Sequence, residues 1–340
     1  RIGILVDEVS EELAQLSQAL KAEIKAVVGR DAEVLFPPED FLVTNHDPSQ
    51  AADAYNALAN RDDIILTFGE SNAIATSRRS AFPVPTIVFG ATHSDLAQFD
   101  LSKDSSGIDN LTYLIFTRSF QEDLEDFTSI YRFEKVAIAV EKGVYNNFDL
   151  TSKLDPVLEN LGADYKLVPF ETVEEIMMGL GDCDGLYMAG GFLIADDQIA
   201  RLADSLRNKV IPSFTSTSTK DVELGLLATN QPNTTTEQIF RRIALSIEAI
   251  LNGKNASALP LFLESNSELT LNYNTADYIN LPIRSSLFTS INIVGNTTDF
   301  DVERRYNLIE AISEALQRNL ALQSTAKDVE LAERDLATSR

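Results

Sequence analysis

A single cysteine, Cys183, in 340 residues excludes an intrachain disulfide and any cage of thiolates around a metal. Histidine is almost as scarce: only His46 and His93 are present, so a transition-metal site or a histidine-based catalytic centre has little to work with. Basic residues are outnumbered, 28 against 52 acidic ones, and the formal net charge of −24 repels phosphate backbones and anionic lipid alike. Nucleic acid is therefore not an expected partner. No uninterrupted apolar run approaches the roughly 20 residues that a membrane-crossing helix needs, so no transmembrane segment is expected within the chain. The glycines compose neither GxGxxG nor GxxxxGK, and no GxSxG elbow occurs. No leader precedes the strand-like residues that begin at Ile2, and the numbering is expected to start behind a removed leader or at a cut.

What is present is an alternation of short β-rich runs with helical patterns. RIGILVD, AEVLFP, DIILTFG and PTIVFG read as strands, separated by helices over about 9–28, 49–60 and 71–80. The grammar restarts with KVAIAVE and continues through DYKLVPF, DGLYMAG and VIPSFTS, with helices over 149–161, 172–179 and 196–207. The expected fold class is α/β, with two doubly wound parallel-sheet lobes of similar plan and a C-terminal helical segment. TEQIFRRIALSIEAILNG carries Ile239, Ile243, Ile247 and Ile250 on one helical face and stops at Gly253. It is expected to return to the first lobe, which then comprises 1–112 and 235–262. The second lobe comprises 113–234 and 263–285, with crossings near 110–118, 228–234 and 263–272 and a linker over 286–302.

In parallel α/β sheets ligands gather at the carboxyl ends of strands, where loops expose backbone N–H groups and helix N-termini. Four such edges here are small and polar. They are Gly69, Glu70, Ser71 and Asn72; Gly90, Ala91, Thr92 and His93; Ala189, Gly190, Gly191 and Phe192; and the run from Ser213 to Thr219. Tyr145, Asn146 and Asn147 follow the AIAVE strand. An ordinary capped turn explains any one of these loops, because Gly, Ser and Asn favour caps. Their recurrence in both lobes is what points to a cleft. Ser71, Asn72 and Thr92 are candidate hydrogen-bonding groups from the first lobe, and Tyr145, Asn147 and Thr215 from the second. Tyr113 and Phe192 are candidates to pack on the apolar part of a ligand. His93 is the ionisable side chain at a strand end, for which a capped or exposed surface histidine is the competing reading. Paired carboxylates such as Glu174–Glu175 and Asp196–Asp197 read as solvated helix faces. No nucleophile, base and orienter assemble from the pattern, so no catalytic residue, metal ligand or cofactor is expected.

Several passages fall in a known order. ILTFGESNAIA, VPTIVFGATHSDL, IDNLTYL, IPSFTSTSTKDVELGLLA and AILNGKNASALPLFLESNSELTLNYNTADYINLPI together resemble the ABC-transporter substrate-binding proteins of the type I periplasmic-binding fold, in the branch containing tryptophan-binding proteins. The resemblance runs from residue 1 to about 283. It implies non-catalytic binding of a small polar or zwitterionic solute by hinge closure, a periplasmic location, and service to a transport or efflux system. Where amino-acid-binding relatives often carry an acidic residue this chain has Gly190 and Gly191, and Tyr113 stands at the family's turn glycine. Glu70 is the candidate replacement for the missing charge.

From Asn307 the pattern changes. Leu308, Ile312 and Leu316 form one stripe, and Leu322, Val329 and Leu336 follow seven apart, as in a helix that seeks partner helices. With Glu310, Ala311, Ala315, Asn319, Ala326 and Ala332, the segment 303–340 resembles the start of a TolC-type outer-membrane efflux protein. That resemblance implies attachment to the outer membrane through a channel domain beyond residue 340, and contacts with transporter or efflux subunits through this helix. It also supports an alternative in which the lobes are a ligand-free assembly or gating module.

Overall fold

The computed structural model describes residues 1–30, 32–93, 95–96, 103–191, 194–231, 236–261, 269–284, 287 and 291–295. The first lobe runs through β1 (Ile2–Val6), α1 (Glu11–Val28), β2 (Phe41–Val43), α2 (Pro48–Ala59), β3 (Ile64–Phe68), α3 (Glu70–Ser77), β4 (Thr86–His93) and β5 (Leu111–Arg118). Its strands pair in parallel in the order β2-β1-β3-β4-β5. Alternation along β1 decides the layers. Ile2, Ile4 and Val6 face α1 through Leu13, Leu20 and Ile24, while Leu5 faces the other way into a cluster with Tyr55, Leu58, Ile65 and Val88.

The second lobe contains α4 (Phe120–Ile130), β6 (Lys135–Glu141), α5 (Lys142–Asn147), α6 (Thr151–Leu161), β7 (Asp164–Phe170), α7 (Val173–Gly179), β8 (Gly185–Met188), α8 (Asp196–Asn208), β9 (Ser213–Thr215), α9 (Thr219–Glu223) and β10 (Ala228–Thr229). After α10 (Thr236–Leu251) come β11 (Leu269–Asn272), α11 (Tyr273–Tyr278) and β12 (Ile291–Val294). The sheet order is β12-β11-β10-β9-β8-β6-β7, parallel except where β10 meets β11. The same two-faced logic holds: Val136, Ile138 and Val140 pack with Leu154 and Leu158, and Ala137 and Ala139 with Ile176, Leu202 and Leu206. α10 does pack on the first lobe, where Phe240, Ile243 and Ile247 join the α1 cluster and Arg241 reaches Glu23 at 2.9 Å.

Three sequence expectations need correction. AEVLFP is not a strand. Pro37 and Pro38 lack ladder N–H donors and lead into a short 3-10 turn, so the neighbour of β1 is built from Phe41–Val43 instead. The segment 110–118 is not a crossing, because Leu111–Arg118 pairs with β4 and keeps Tyr113 in the first sheet. The expected linker over 286–302 contains β12, whose Ile291 and Ile293 register with Leu269 and Leu271. The helical pattern from Asn307 lies outside the described residues. No described helix is long and apolar enough to cross a membrane.

Candidate functional site

β1 exits directly into Asp7 and Glu8, β2 into the turn 44–47, β3 through Gly69 into α3, and β6 onto Glu141 and α5. Parallel pairing places these exits on one edge of each sheet, and together they enclose a cavity between the lobes.

Asp7 organises the first-lobe side and is only 5% exposed. Its Oδ2 accepts the N–H of Ser71 and its Oδ1 that of Asn72, each at 2.9 Å. The N-cap of α3 is Gly69, which has no side chain to cap with, so β1 supplies the cap from the adjacent strand. Gly69 sits at φ 102°, and a Cβ there would lie 2.3 Å from Asp7 Oδ2. Both facts restrict the position to glycine. Burial pushes the Asp7 carboxyl up to about 7, against the pull of His46 and the two N–H groups.

His46 projects from a turn in which Asn45 and His46 take left-handed φ values of 51° and 59°. Its Nε2 lies 3.4 Å from Glu8 Oε2, and its Nδ1 lies 3.4 Å from Ser71 Oγ and 3.8 Å from Asp7 Oδ2. Burial alone would lower its pKa. The hydrogen bond with Glu8 and the charges of Asp7, Glu8 and Glu141 outweigh that and raise it. From the second lobe, Glu141 Oε1 accepts the Gly191 N–H at 2.8 Å, and burial raises its pKa despite that bond.

The inner cavity is small, about 40 Å³, and is bounded by Asp7, Glu8, His46, Phe68 and Glu70 of the first lobe and Glu141 and Gly190 of the second. On the ~10–15 Å³ that one water requires, it fits a small polar head group rather than a whole metabolite. A second cavity of about 500 Å³ shares Glu8, His46 and Glu141 and spreads over Phe170, Val173 and Ile194 of the second lobe. Its rim carries Lys142, held by Glu175 at 2.7 Å, and Arg201, held by Glu174 at 2.8 Å.

The expected site residues divide. Glu70 and Gly190 line the inner cavity. Ser71 and Asn72 lie behind it, fully buried, with the Asn72 amide engaged by Thr44 Oγ1 at 3.0 Å and Phe68 O at 3.1 Å. Asn147 bridges the lobes, donating to His46 O at 2.8 Å and to Gly143 O at 2.7 Å. Tyr145 is on α5 and 42% exposed. Thr92 and His93 close β4, where His93 registers with Arg118. Tyr113 is 2% exposed in the interior of the first lobe with Leu5, Tyr55 and Leu111, away from the cavity. Thr215 is buried and its hydroxyl donates to Asp221 Oδ2 at 2.9 Å, which orders the β9–α9 turn. Phe192 lies outside the described residues.

Asp7, Glu8, His46 and Glu141 did not enter the sequence reading as site residues. Asp7 and Glu141 terminate strands that the sequence identifies, so the strand-end rule could have found them. His46 follows β2, whose three residues Phe41–Val43 are too short a run to stand out in the sequence beside AEVLFP.

Ser71, His46 and Glu8 stand in the order hydroxyl, imidazole, carboxylate, yet the Ser71 side chain is 0% exposed and the adjacent N–H groups of Ser71 and Asn72 are both committed to Asp7. A reacting carbonyl has neither access to that hydroxyl nor those donors to stabilise its oxyanion. No group of three or more potential metal ligands occurs among the described residues.

No family model and no curated protein matches the chain. Solved structures do. An ABC domain in complex with L-Trp from Streptococcus pneumonia has 17% identity and a TM-score of 0.60, over 87% of this chain and 100% of that one. A conserved domain protein from Vibrio cholerae has 16% identity and a TM-score of 0.60, over 86% and 99%. A ligand-free, open substrate-binding protein with adhesive properties from Clostridium difficile has 17% identity and a TM-score of 0.50, over 87% and 99%. The chain therefore has the two-lobed α/β fold of the type I periplasmic-binding proteins.

Proposed function

We propose that this protein captures a small polar or zwitterionic solute in the cleft between its lobes and holds it by hinge closure, without covalent chemistry. The observation that carries the reading is the inner cavity, whose walls come from both lobes, so a solute there contacts both at once and favours the closed population. Asp7, Glu8, Glu70 and Glu141 surround it with His46 as the sole basic side chain among the lining residues, a setting that favours a protonated amine. The solute's head group occupies the inner cavity and its body the outer one, against Phe170, Val173 and Ile194.

On this reading the protein is the receptor of a transport or efflux system outside the cytoplasm. The segment 303–340, with its likeness to the start of a TolC-type efflux protein, supplies the contact to that system. A thermal-shift screen of the full chain against amino acids, amines, sugars and nucleosides tests the proposal, because a ligand bound only by the native state raises the melting temperature. A saturable shift with amine-bearing solutes, lost in Glu141→Gln, is the expected result. No shift across the panel would sink the receptor reading in favour of the assembly or gating module.

A further inference from the structure

The contact between the lobes concentrates on one residue. His46 belongs to the first lobe, yet its main-chain oxygen accepts from Asn147 of α5 at 2.8 Å, and its ring lies against Gly143 of the same helix. The approach is so close that a methyl group at Gly143 would fall 2.2 Å from the imidazole. Two consecutive left-handed residues, Asn45 and His46, are needed to deliver the ring there, a conformation that costs energy in residues other than glycine and persists only where surrounding contacts enforce it.

The groups facing the ring are unequal in sign. Asp7 and Glu8 come from the exit of β1, Ser71 and Glu70 from the start of α3, and Glu141 from the end of β6 in the other lobe. Asp47 on the same turn is occupied capping α2 through Ser49 and Gln50. The cations nearby, Lys142 and Arg201, are ion-paired, the first with Glu171 and Glu175 and the second with Glu174. An imidazolium in this position is attracted by carboxylates of both lobes at once, whereas a neutral ring leaves those carboxylates to repel one another across the cleft.

We infer that His46 is a proton-dependent latch, in which the charged ring seated on Gly143 holds the cleft shut and the neutral ring releases it. Capture and release of solute are then tied to the local pH, and protonation does part of the closing that solute completes. The inference rests on the proposed closing of the cleft around a solute, but it concerns the lobes' own equilibrium and is measurable without a ligand. The upward displacement of the His46 pKa in this closed arrangement agrees in direction with it.

The test uses the full chain with Cys183→Ser and a donor–acceptor dye pair on Asp53→Cys of α2 and Glu159→Cys of α6, both exposed and on opposite lobes. Inter-lobe energy transfer is followed from mildly acidic to mildly alkaline pH. The closing constant should fall with pH, by up to about tenfold per unit for one coupled proton. His46→Gln should lower the slope of the dependence, leaving only what Asp7 and Glu141, whose pKa values burial also raises, contribute; Glu8→Gln should move its midpoint to lower pH, and Gly143→Ala should favour the open form throughout. A wild-type response that is flat, or one left unchanged by His46→Gln in a protein folded by circular dichroism, overturns the latch. Glu8→Gln, on the cavity rim, keeps the test decisive if His46→Gln does not fold. Calorimetric titration with amino acids separates the two proposals. Solute binding with a flat pH response sinks the latch alone, and a full pH response without solute binding supports the latch while sinking the receptor reading.

Discussion

The side-chain amide of Asn147 donates across the cleft to the main-chain oxygen of His46 at 2.8 Å, joining the end of α5 to the turn after β2. The same amide also holds Gly143 O at 2.7 Å, which closes α5 on itself and fixes the direction in which the amide points. One side chain thus serves both the local helix and the lobe contact, and apolar packing accompanies it, since Ile74 of α3 lies in the same cluster as Val144 of α5.

Asn147→Ala should weaken the closed form by about 1 kcal/mol, the net worth of a typical hydrogen bond, and so weaken solute affinity roughly fivefold. Titration calorimetry with the solute found in the thermal-shift screen reads this directly. An unchanged Kd would place the contact outside the binding equilibrium.

Asp7→Ala removes the cap that β1 provides to α3 and leaves two N–H groups at the helix start without their acceptor. A loss of about 1–2 kcal/mol in urea unfolding is expected. Solute affinity should fall as well, because Asp7 and Glu70 lie on the same cavity wall and α3 positions the second.

Stability should peak on the acid side of neutrality. Burial raises Asp7 to about 7, and burial together with the negative charge of Asp40 raises Asp62 to about 6. Groups with raised folded values contribute stability that is complete below their unfolded pKa, about 4 for aspartate, and lost as pH rises through the folded value. His46 has the same sign, its contribution being complete below its unfolded value of about 6.5 and lost above it. Asp40 opposes them at the acid end. Burial would raise it, but the hydrogen bonds from Arg1 and Asp62 hold it below its ordinary value, so its contribution is lost as pH falls. Thermal melts should give a higher Tm near about pH 5.5 than near about pH 8, with Asp62→Asn flattening the slope between about pH 4 and 6. A Tm that climbs steadily to alkaline pH would contradict these assignments.

Tyr187→Phe offers a contrast at a residue that lines neither cavity. The Tyr187 hydroxyl donates to Asp123 Oδ2 at 2.6 Å, with both residues fully buried in the second lobe. Its removal should cost about 1–3 kcal/mol of unfolding free energy, as expected for a buried bond to a charged acceptor, while leaving solute affinity unchanged. A large change in Kd would mean that the two regions are coupled.

How much of this was legible in the chain depends on whether the signal is local. The apolar runs IGILV and KVAIAVE, the helix face of Ile243 and Ile247, and the glycine turn after IILTF all report neighbours close in sequence, and each predicted element appears where those patterns lie. AEVLFP fails because composition alone favours a strand there, while Pro37 at its end and Pro38 after it withhold the donors a ladder needs. Tyr113 shows the limit in another way. A tyrosine at the end of a polar stretch reads equally well as a ligand contact or as core, and only the pairing of β5 with β4 turns it inward.

By itself the sequence determined the α/β class and the two-lobed plan, because hydrophobic period and turn residues act over a few positions. Only the tertiary structure decided which polar groups share a cavity. Asp7 meets Ser71 across 64 positions and Asn147 meets His46 across 101, separations at which no local pattern constrains who faces whom. Chain connectivity, sheet order and the approach of one lobe to the other set those distances, and with them the charge that a bound solute would encounter.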